Sequence, residues 1–355
     1  SKREIADGKK LSALPFILLA LPVPLDIRLA ASRQLADSAS ASVLAPGQPK
    51  PFTHVAPKAG SKFRIGYISP DFRMHSVGMC FRSIVAGHDR DNFEVFGYHM
   101  ALKPDDETTT YFRETFDHFR DIRQLSTMEA AQQIHDDGIN ILIDLAGHTR
   151  GSRIEILALR PAPVQVHYLG YGATTGADFI DYLISDDTVI DEEAARWCSE
   201  TLAYMPTTFM PPLALPKPEK LLSRTNEGLP EEAFVFANFS AHYKIDPDIF
   251  SIWMRLLKRA PGSVLWLVSG SDHSVENLKR EAGIRGIDPD RLIFAPRRDH
   301  HTHITRHHLA DLCLDNCFHA GGATTLEALW SGLPVLTMHG PYPNSRTGAG
   351  MVKAA

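Results

Sequence analysis

The run His319-Ala320-Gly321-Gly322-Ala323-Thr324-Thr325-Leu326-Glu327-Ala328-Leu329-Trp330-Ser331-Gly332-Leu333-Pro334 holds the residue types that seat an anion. Consecutive glycines let backbone N–H groups approach a phosphate closely, and a helix starting near Thr324 turns its free N–H groups and positive dipole end toward the same place. Gly332 is expected to stop that helix, and Pro334 to open the next strand. A second reading stands beside the first. Thr324 and Glu327 have the spacing of a capping box, which closes a helix start without any ligand.

Further reactive side chains follow apolar runs. Ser69-Pro70-Asp71-Phe72-Arg73-Met74-His75 comes after one, Asp144-Leu145-Ala146-Gly147-His148 after a second, Leu169-Gly170 after a third, and Asn238-Phe239-Ser240-Ala241-His242-Tyr243-Lys244 after a fourth. A histidine near its ordinary pKa suits removal of a proton from a hydroxyl, and a lysine suits neutralising a departing phosphate. His75 is the first candidate base, with Asp144 and His148 behind it. The run Asp299-His300-His301-Thr302-His303 through His307-His308 invites a metal reading, since His303 and His307 lie one helical turn apart. No carboxylate or cysteine follows closely enough in sequence to complete the set, so no metal is expected. Cys313, Cys317 and His319 read better as a buried strand and its turn than as ligands.

These residues need strands to carry them. Between Phe63 and Leu169, short apolar runs alternate with helical patterns, as a parallel α/β sheet demands: strands at Phe63–Ile68, Phe93–His99, Ile139–Leu145 and Val164–Leu169, helices at Thr127–Asp137 and Arg153–Leu159. Pro206 to Pro230 is too rich in proline for sheet or helix interior and reads as a connection between domains. A second series follows, with strands at Phe234–Phe239, Ser263–Val268, Arg291–Ala295, Asp311–Asp315 and Pro334–Met338, and helices at Pro247–Arg259, Ser274–Gly283 and Thr324–Ser331. In open α/β sheets ligands lie beyond the carboxyl ends of the strands, where the reactive side chains fall.

A chain of 355 residues suits two domains, and its net charge of −5 gives no electrostatic footprint for nucleic acid or for an anionic membrane. Cys80, Cys198, Cys313 and Cys317 form no CxxC framework, which fits a reducing, cytoplasmic setting. Lys9-Lys10 before the apolar run Leu11 to Leu25 mimics a secretory signal, but Pro15, Pro22 and Pro24 interrupt it and it is too short to span a bilayer. Leu25 to Leu35 reads instead as the end of a helical region, and Asp37 to Lys62, rich in Ala, Ser, Pro and Gly, as a linker. The chain reads as a piece of a longer one, with another helix expected after Ser345-Arg346.

Six segments then resemble one family in sequence order. They are Arg64-Ile65-Gly66-Tyr67-Ile68-Ser69-Pro70-Asp71-Phe72, Asp137-Gly138-Ile139, Ala158-Leu159-Arg160-Pro161-Ala162-Pro163-Val164-Gln165, Phe239 with Tyr243-Lys244-Ile245-Asp246-Pro247, Leu309-Ala310-Asp311-Leu312-Cys313-Leu314-Asp315, and Ala328-Leu329-Trp330-Ser331-Gly332-Leu333-Pro334. From Phe63 onward the chain is similar to the catalytic region of protein O-linked N-acetylglucosamine transferases, the SPINDLY-like group included. The resemblance implies an α/β fold with two Rossmann-like domains in the GT-B arrangement: 63–210, then a connection over 211–230, then 231–355. It also implies tetratricopeptide repeats upstream, of which residues 1–36 would be the end. The implied reaction is metal-independent, inverting transfer of N-acetylglucosamine from UDP-GlcNAc to protein Ser or Thr. The implied partners are therefore a sugar nucleotide and a protein acceptor, with no cofactor.

By resemblance, Lys244 sits on the donor diphosphate with Tyr243 beside it, and His75 matches the active-site histidine. His303 and Arg306 fall where the family holds uracil; Gly322, Ala323 and Thr324, with Thr325 next to them, where it holds phosphates; Glu327 where an acidic residue binds ribose; and Leu169 and Gly170 on the loop lining the sugar pocket. Three places depart from the pattern. Gly322-Ala323 stands where animal enzymes have His-Thr, Ala241 where they have glutamine, and Gly172-Ala173 where Pro-Gly is usual. The alternatives are a GDP-fucose-dependent protein O-fucosyltransferase, a more distant UDP-glucose enzyme acting on Asn, and a non-catalytic scaffold that binds sugar nucleotide or peptide.

Overall fold

The computed structural model of the protein describes residues 13–44, 52–58, 60–213 and 222–355. They fall into two compact units that part between Ala214 and Leu215.

The first unit begins with α1 (Pro15–Leu18) and α2 (Leu25–Val43). It continues through β1 (Phe63–Ser69), α3 (Ser76–Gly87), β2 (Phe93–His99), α4 (Glu107–Thr115), β3 (His118–Asp121), α5 (Thr127–Asp136), β4 (Ile141–Asp144), α6 (Ile154–Ala158), β5 (Val164–His167), β6 (Tyr182–Ser185), α7 (Glu192–Ala195) and β7 (Thr201–Tyr204). Its strands pair in the order β3-β2-β1-β4-β5-β6-β7, all parallel. Because parallel strands are covered on both faces, they read as nearly unbroken apolar runs, and the last five residues of both β1 and β2 are buried.

Helix α2 corrects two expectations. It continues to Val43, so Asp37–Val43 is helix and not linker; the Ala/Ser composition that suggested a flexible segment includes the residue that pays least to enter a helix. It also packs on the body of the unit. A Cβ on Gly176, whose φ is +70°, would overlap the backbone of Arg33, so only glycine lets the helix come this close. Residues 52–58 carry no regular structure; 45–51 and 59 of the expected linker, and 1–12 of the expected helical segment, lie outside the described residues.

The second unit runs β8 (Val235–Asn238), α8 (Pro247–Arg259), β9 (Val264–Val268), α9 (Asp272–Ile284), β10 (Leu292–Ala295), α10 (His300–Thr305), β11 (Leu312–Leu314), α11 (Ala323–Trp330), β12 (Val335–Leu336) and α12 (Thr347–Ala354). The parallel order β10-β9-β8-β11-β12 repeats the first five positions of the other sheet. Alternate strand residues supply two cores, with Val235, Ala237, Trp266 and Cys313 on one face and Phe236, Leu265, Leu267 and Leu314 on the other. Helix α8 covers the second face with Ile249, Phe250, Trp253, Met254 and Leu257, the spacing of one helical stripe.

The proline-rich stretch is more than a connection. Of its described part, Leu222 and Leu229 pack into the second unit's core, and the Arg224 guanidinium pairs with Asp311 at 2.9 Å; 214–221 lie outside the described residues. In each sheet the order reverses beside the first strand, between β1 and β4 and between β8 and β11, and ligands of such folds bind beyond the strand ends there.

Candidate active site

At the reversal point of the second unit, β8 ends on Asn238, whose side-chain amide donates to the Leu314 carbonyl at 2.7 Å and so ties the ends of β8 and β11 together. Ser240 follows, with its hydroxyl 3.4 Å from that of Thr324. A single 3₁₀ turn, His242–Lys244, then leads to Asp246, which caps α8 by accepting the Asp248 and Ile249 amides at 2.9 Å. His242 anchors the turn through Ser274 at 2.8 Å and the Val268 carbonyl at 2.7 Å. Lys244 is thereby held next to Asp315, the residue after β11. Burial pushes the Lys244 ammonium down to about 8, and the Asp315 carboxylate opposes that shift. Tyr243, 57% exposed, lies edge-on to His319 at 6.1 Å.

Asp315 organises the cradle. Its Oδ1 accepts the amides of Asn316 at 2.8 Å and Gly321 at 2.7 Å, and its Oδ2 accepts the Thr337 hydroxyl at 2.8 Å. Helix α11 then starts at Ala323 with Gly322 as its N-cap and no side-chain cap, so its first N–H groups have no partner from the helix itself. The capping-box reading is overturned: the Glu327 carboxylate turns away from the helix start to accept from His300 at 2.8 Å. A Cβ on Gly322 would meet open space, whereas one on Gly321 would overlap the hydroxyls of Thr324 and Thr325.

Beside the cradle, His303 Nε2 lies 3.6 Å from Glu327 Oε2, and its Nδ1 faces the Arg306 guanidinium at 2.6 Å. Burial works against the Glu327 charge, yet the bonds from His300 and His303 hold its pKa down at about 2. Arg306, 1% exposed, donates to the Pro296 carbonyl at 2.7 Å, lies 3.5 Å from Glu227, and stacks over Phe239 at 5.0 Å. His307 stands against Phe239 and His303, and the ligand-capable atoms of His303, His307 and Glu327 lie within 4.8 Å of one another. That corrects the expectation that no carboxylate joins the histidine run: Glu327 is 20 or more residues away along the chain, and the α10-to-α11 packing brings it in. Cys313 is buried in β11, and Cys317 packs its sulfur against Met338 at 3.4 Å.

In the first unit, the reversal point gathers His75, Asp144, His148, Leu169 and Gly170. His75 is the N-cap of α3, its Nδ1 3.3 Å from both the Val77 amide and Asp71 Oδ2. Asp71 also takes Arg73 at 3.1 Å. Burial lowers the His75 pKa, against the pull of Asp71. A Cβ on Gly170 would overlap the Leu145 carbonyl and touch Val77, so the Leu169-Gly170 loop lies on the turns that follow β1 and β4. Leu169 has φ +74°, a left-handed conformation rare for a non-glycine residue and common in ligand-handling loops.

Asp144 and His148 are tied into the first unit's own hydrogen bonds. Asp144 is 1% exposed and accepts the Ala146 and Gly147 amides at 3.0 and 2.6 Å, with His167 at 3.2 Å. His148 is buried with Nε2 committed to the Thr175 carbonyl at 2.6 Å, in a wall where Thr174 and Thr175 close on Glu200. Sequence reasoning assigned no site role to Asp71, Asp315, His300 or Glu227. Asp71 and Asp315 each stand within two residues of a strand end, which was the available signal; His300 was read only as part of the histidine run, and Glu227 carried no signal.

Two Rossmann-like α/β units, one with an uncapped helix start and a lysine at its reversal point, have the fold of GT-B glycosyltransferases. The chain belongs to glycosyl transferase family 41, whose model matches residues 14–211 and 214–354. It is 36% identical over 349 residues to an Arabidopsis thaliana protein described as probable UDP-N-acetylglucosamine–peptide N-acetylglucosaminyltransferase SEC, covering 95% of this chain and 36% of that protein. A Caenorhabditis elegans UDP-N-acetylglucosamine–peptide N-acetylglucosaminyltransferase is 29% identical, over 79% of this chain and 34% of its own length. Among solved structures, a lysine-to-methionine mutant of the Thermobaculum terrenum O-GlcNAc transferase superposes with a TM-score of 0.83 at 28% identity, covering 94% of this chain and 63% of that one. The chain thus spans about a third of the length of these curated relatives. No described helix is long and apolar enough to cross a membrane.

Proposed function

We propose that this chain is the catalytic region of a protein O-N-acetylglucosaminyltransferase, moving N-acetylglucosamine from UDP-GlcNAc to Ser or Thr hydroxyls with inversion and without a metal ion. The observation that carries this reading is the group Lys244, Asp315 and the uncapped start of α11, three elements of one unit that converge where a diphosphate belongs.

Breaking the glycosyl–phosphate bond leaves its electron pair on the diphosphate, and that developing negative charge is the largest electrostatic demand of the reaction. The Lys244 ammonium and the N–H groups of Gly322, Ala323, Thr324 and Thr325 meet it. Arg306 and His303 receive the base, and Glu327, held by His300, receives the ribose. The acceptor oxygen forms the new bond to the anomeric carbon and gives its proton to His75. Asp71 Oδ2, 3.3 Å from His75 Nδ1, favours the imidazolium that forms when the ring takes that proton. The Leu169-Gly170 loop lines the sugar, and Tyr243 sits beside Lys244.

The names of the relatives support the donor and acceptor classes, and the four free cysteines support a reducing, cytoplasmic setting. Tetratricopeptide repeats upstream belong to the same proposal. The test is turnover of UDP-GlcNAc and of GDP-fucose with a Ser/Thr peptide acceptor. UDP-GlcNAc is expected to be consumed and the peptide to gain one N-acetylhexosamine; preference for GDP-fucose overturns the donor assignment.

A further inference from the structure

His307 is 1% exposed, its Nδ1 donates to the His303 carbonyl at 2.8 Å, and its Nε2 has no partner among the described residues. A buried imidazole lone pair aimed at a neighbouring carboxylate and a second imidazole is the donor set of a zinc site, and a backbone carbonyl on the far ring nitrogen is how ligating histidines are fixed. We propose that His303, His307 and Glu327 form a site for a divalent cation of the zinc class, and that an ion bound there excludes the nucleotide.

The geometry needs little adjustment. Ligand atoms around a tetrahedral ion with bonds of ~2.0–2.1 Å stand ~3.3 Å apart. His303 Nε2 and Glu327 Oε2 are already 3.6 Å apart, and all three ligand atoms lie within 4.8 Å of one another. Two imidazoles with one carboxylate favour zinc over magnesium or calcium, which take oxygen sets. His300 holds Glu327 Oε1 at 2.8 Å and leaves Oε2 for the ion. With the Nδ1 proton of His307 on the His303 carbonyl, the lone pair of the neutral ring lies on Nε2.

One contact must give way. With the Arg306 guanidinium donating to His303 Nδ1, the ring proton sits on Nε2 and points at Glu327. Ligation transfers that proton to Nδ1, and Arg306 leaves His303 while keeping the Pro296 carbonyl and Glu227. The ion therefore occupies Glu327 and displaces Arg306 from His303, the three residues given to ribose and base. The exclusion half of the proposal rests on that assignment; the cation site itself does not.

The test is titration of the full chain, stripped with chelator, with Co²⁺ followed by visible absorption and with Zn²⁺ followed by equilibrium dialysis, each with and without UDP. One Co²⁺ with intense tetrahedral bands is expected, weakened by UDP. His307→Gln and Glu327→Gln should each weaken it at least ~10-fold, while His301→Ala, which removes an exposed imidazole from the helix that carries His303, should leave it unchanged. Thermal melts of the variants check that they are folded. Equal binding by wild type and both glutamine variants overturns the site. Binding that depends on His307 but ignores UDP upholds the site and overturns the exclusion, and with it the assignment of Glu327 to the nucleotide.

Discussion

Asp315 Oδ1 accepts the Gly321 amide at 2.7 Å, and that bond fixes the cradle turn to the end of β11 beside Lys244. The same carboxylate leaves no room at the start of α12, where a Cβ on Gly348 would overlap Oδ2. One buried acid thus sets the turn, the lysine and a neighbouring helix.

Asp315→Asn is therefore expected to keep the fold but to loosen the cradle and lower the Lys244 pKa further, since the opposing carboxylate charge is gone. The alkaline limb of the kcat/KM profile should move to lower pH. A profile that does not move would show that Asp315 has no electrical hold on Lys244.

Lys244→Met should reduce kcat by ~10²–10³, the usual cost of removing one preorganised donor from developing negative charge. In the wild type, activity should fall as pH rises through about 8, where Lys244 loses its proton. Stability should respond the opposite way. Between about 8 and the ordinary lysine value the unfolded chain binds more protons than the folded one, so stability rises with pH over that window. The burial penalty is at its fullest below it, so the methionine variant should be more stable at neutral pH by ~1–2 kcal/mol in a denaturant melt.

His75→Ala should cost ~10²–10⁴ in kcat with little change in UDP affinity. Asp71→Asn should give a smaller loss and a lower apparent pKa in the acid limb, because the charge that favours protonated His75 has been removed. Loss of UDP binding in either variant would count against the proton-transfer role.

Asp144→Ala should destabilise the first unit by ~3–5 kcal/mol, leaving His167 and two amides buried without their acceptor. Burial opposes charge on His167, but Asp144 overrides it and raises the pKa. The pair's contribution is therefore fully present below about 6.5 and is lost as pH rises through the raised value. Urea melts across that range read both effects; a variant that is inactive yet as stable as wild type would restore Asp144 to catalysis.

The strands around both reversal points were legible because each is an apolar run bounded by turn residues, and β2 and α8 match their expected ends. Strands β3, β6 and β7 were not, being four residues each with a polar or exposed position at one or both ends. Helix α2 was cut short by composition. Among the reactive residues, Asp144 and the Leu169-Gly170 loop were found at strand ends, whereas Asp315, directly after β11, was not. Glu227 and His300 were not, because only tertiary packing brings them to Arg306 and Glu327.

The most direct measurement is a crystal structure of the chain with UDP. The account predicts the diphosphate on the amides of Gly322 to Thr325 with Lys244 Nζ in hydrogen-bond range, and the ribose on Glu327. A diphosphate bound away from α11, or Lys244 turned from it, would contradict the account.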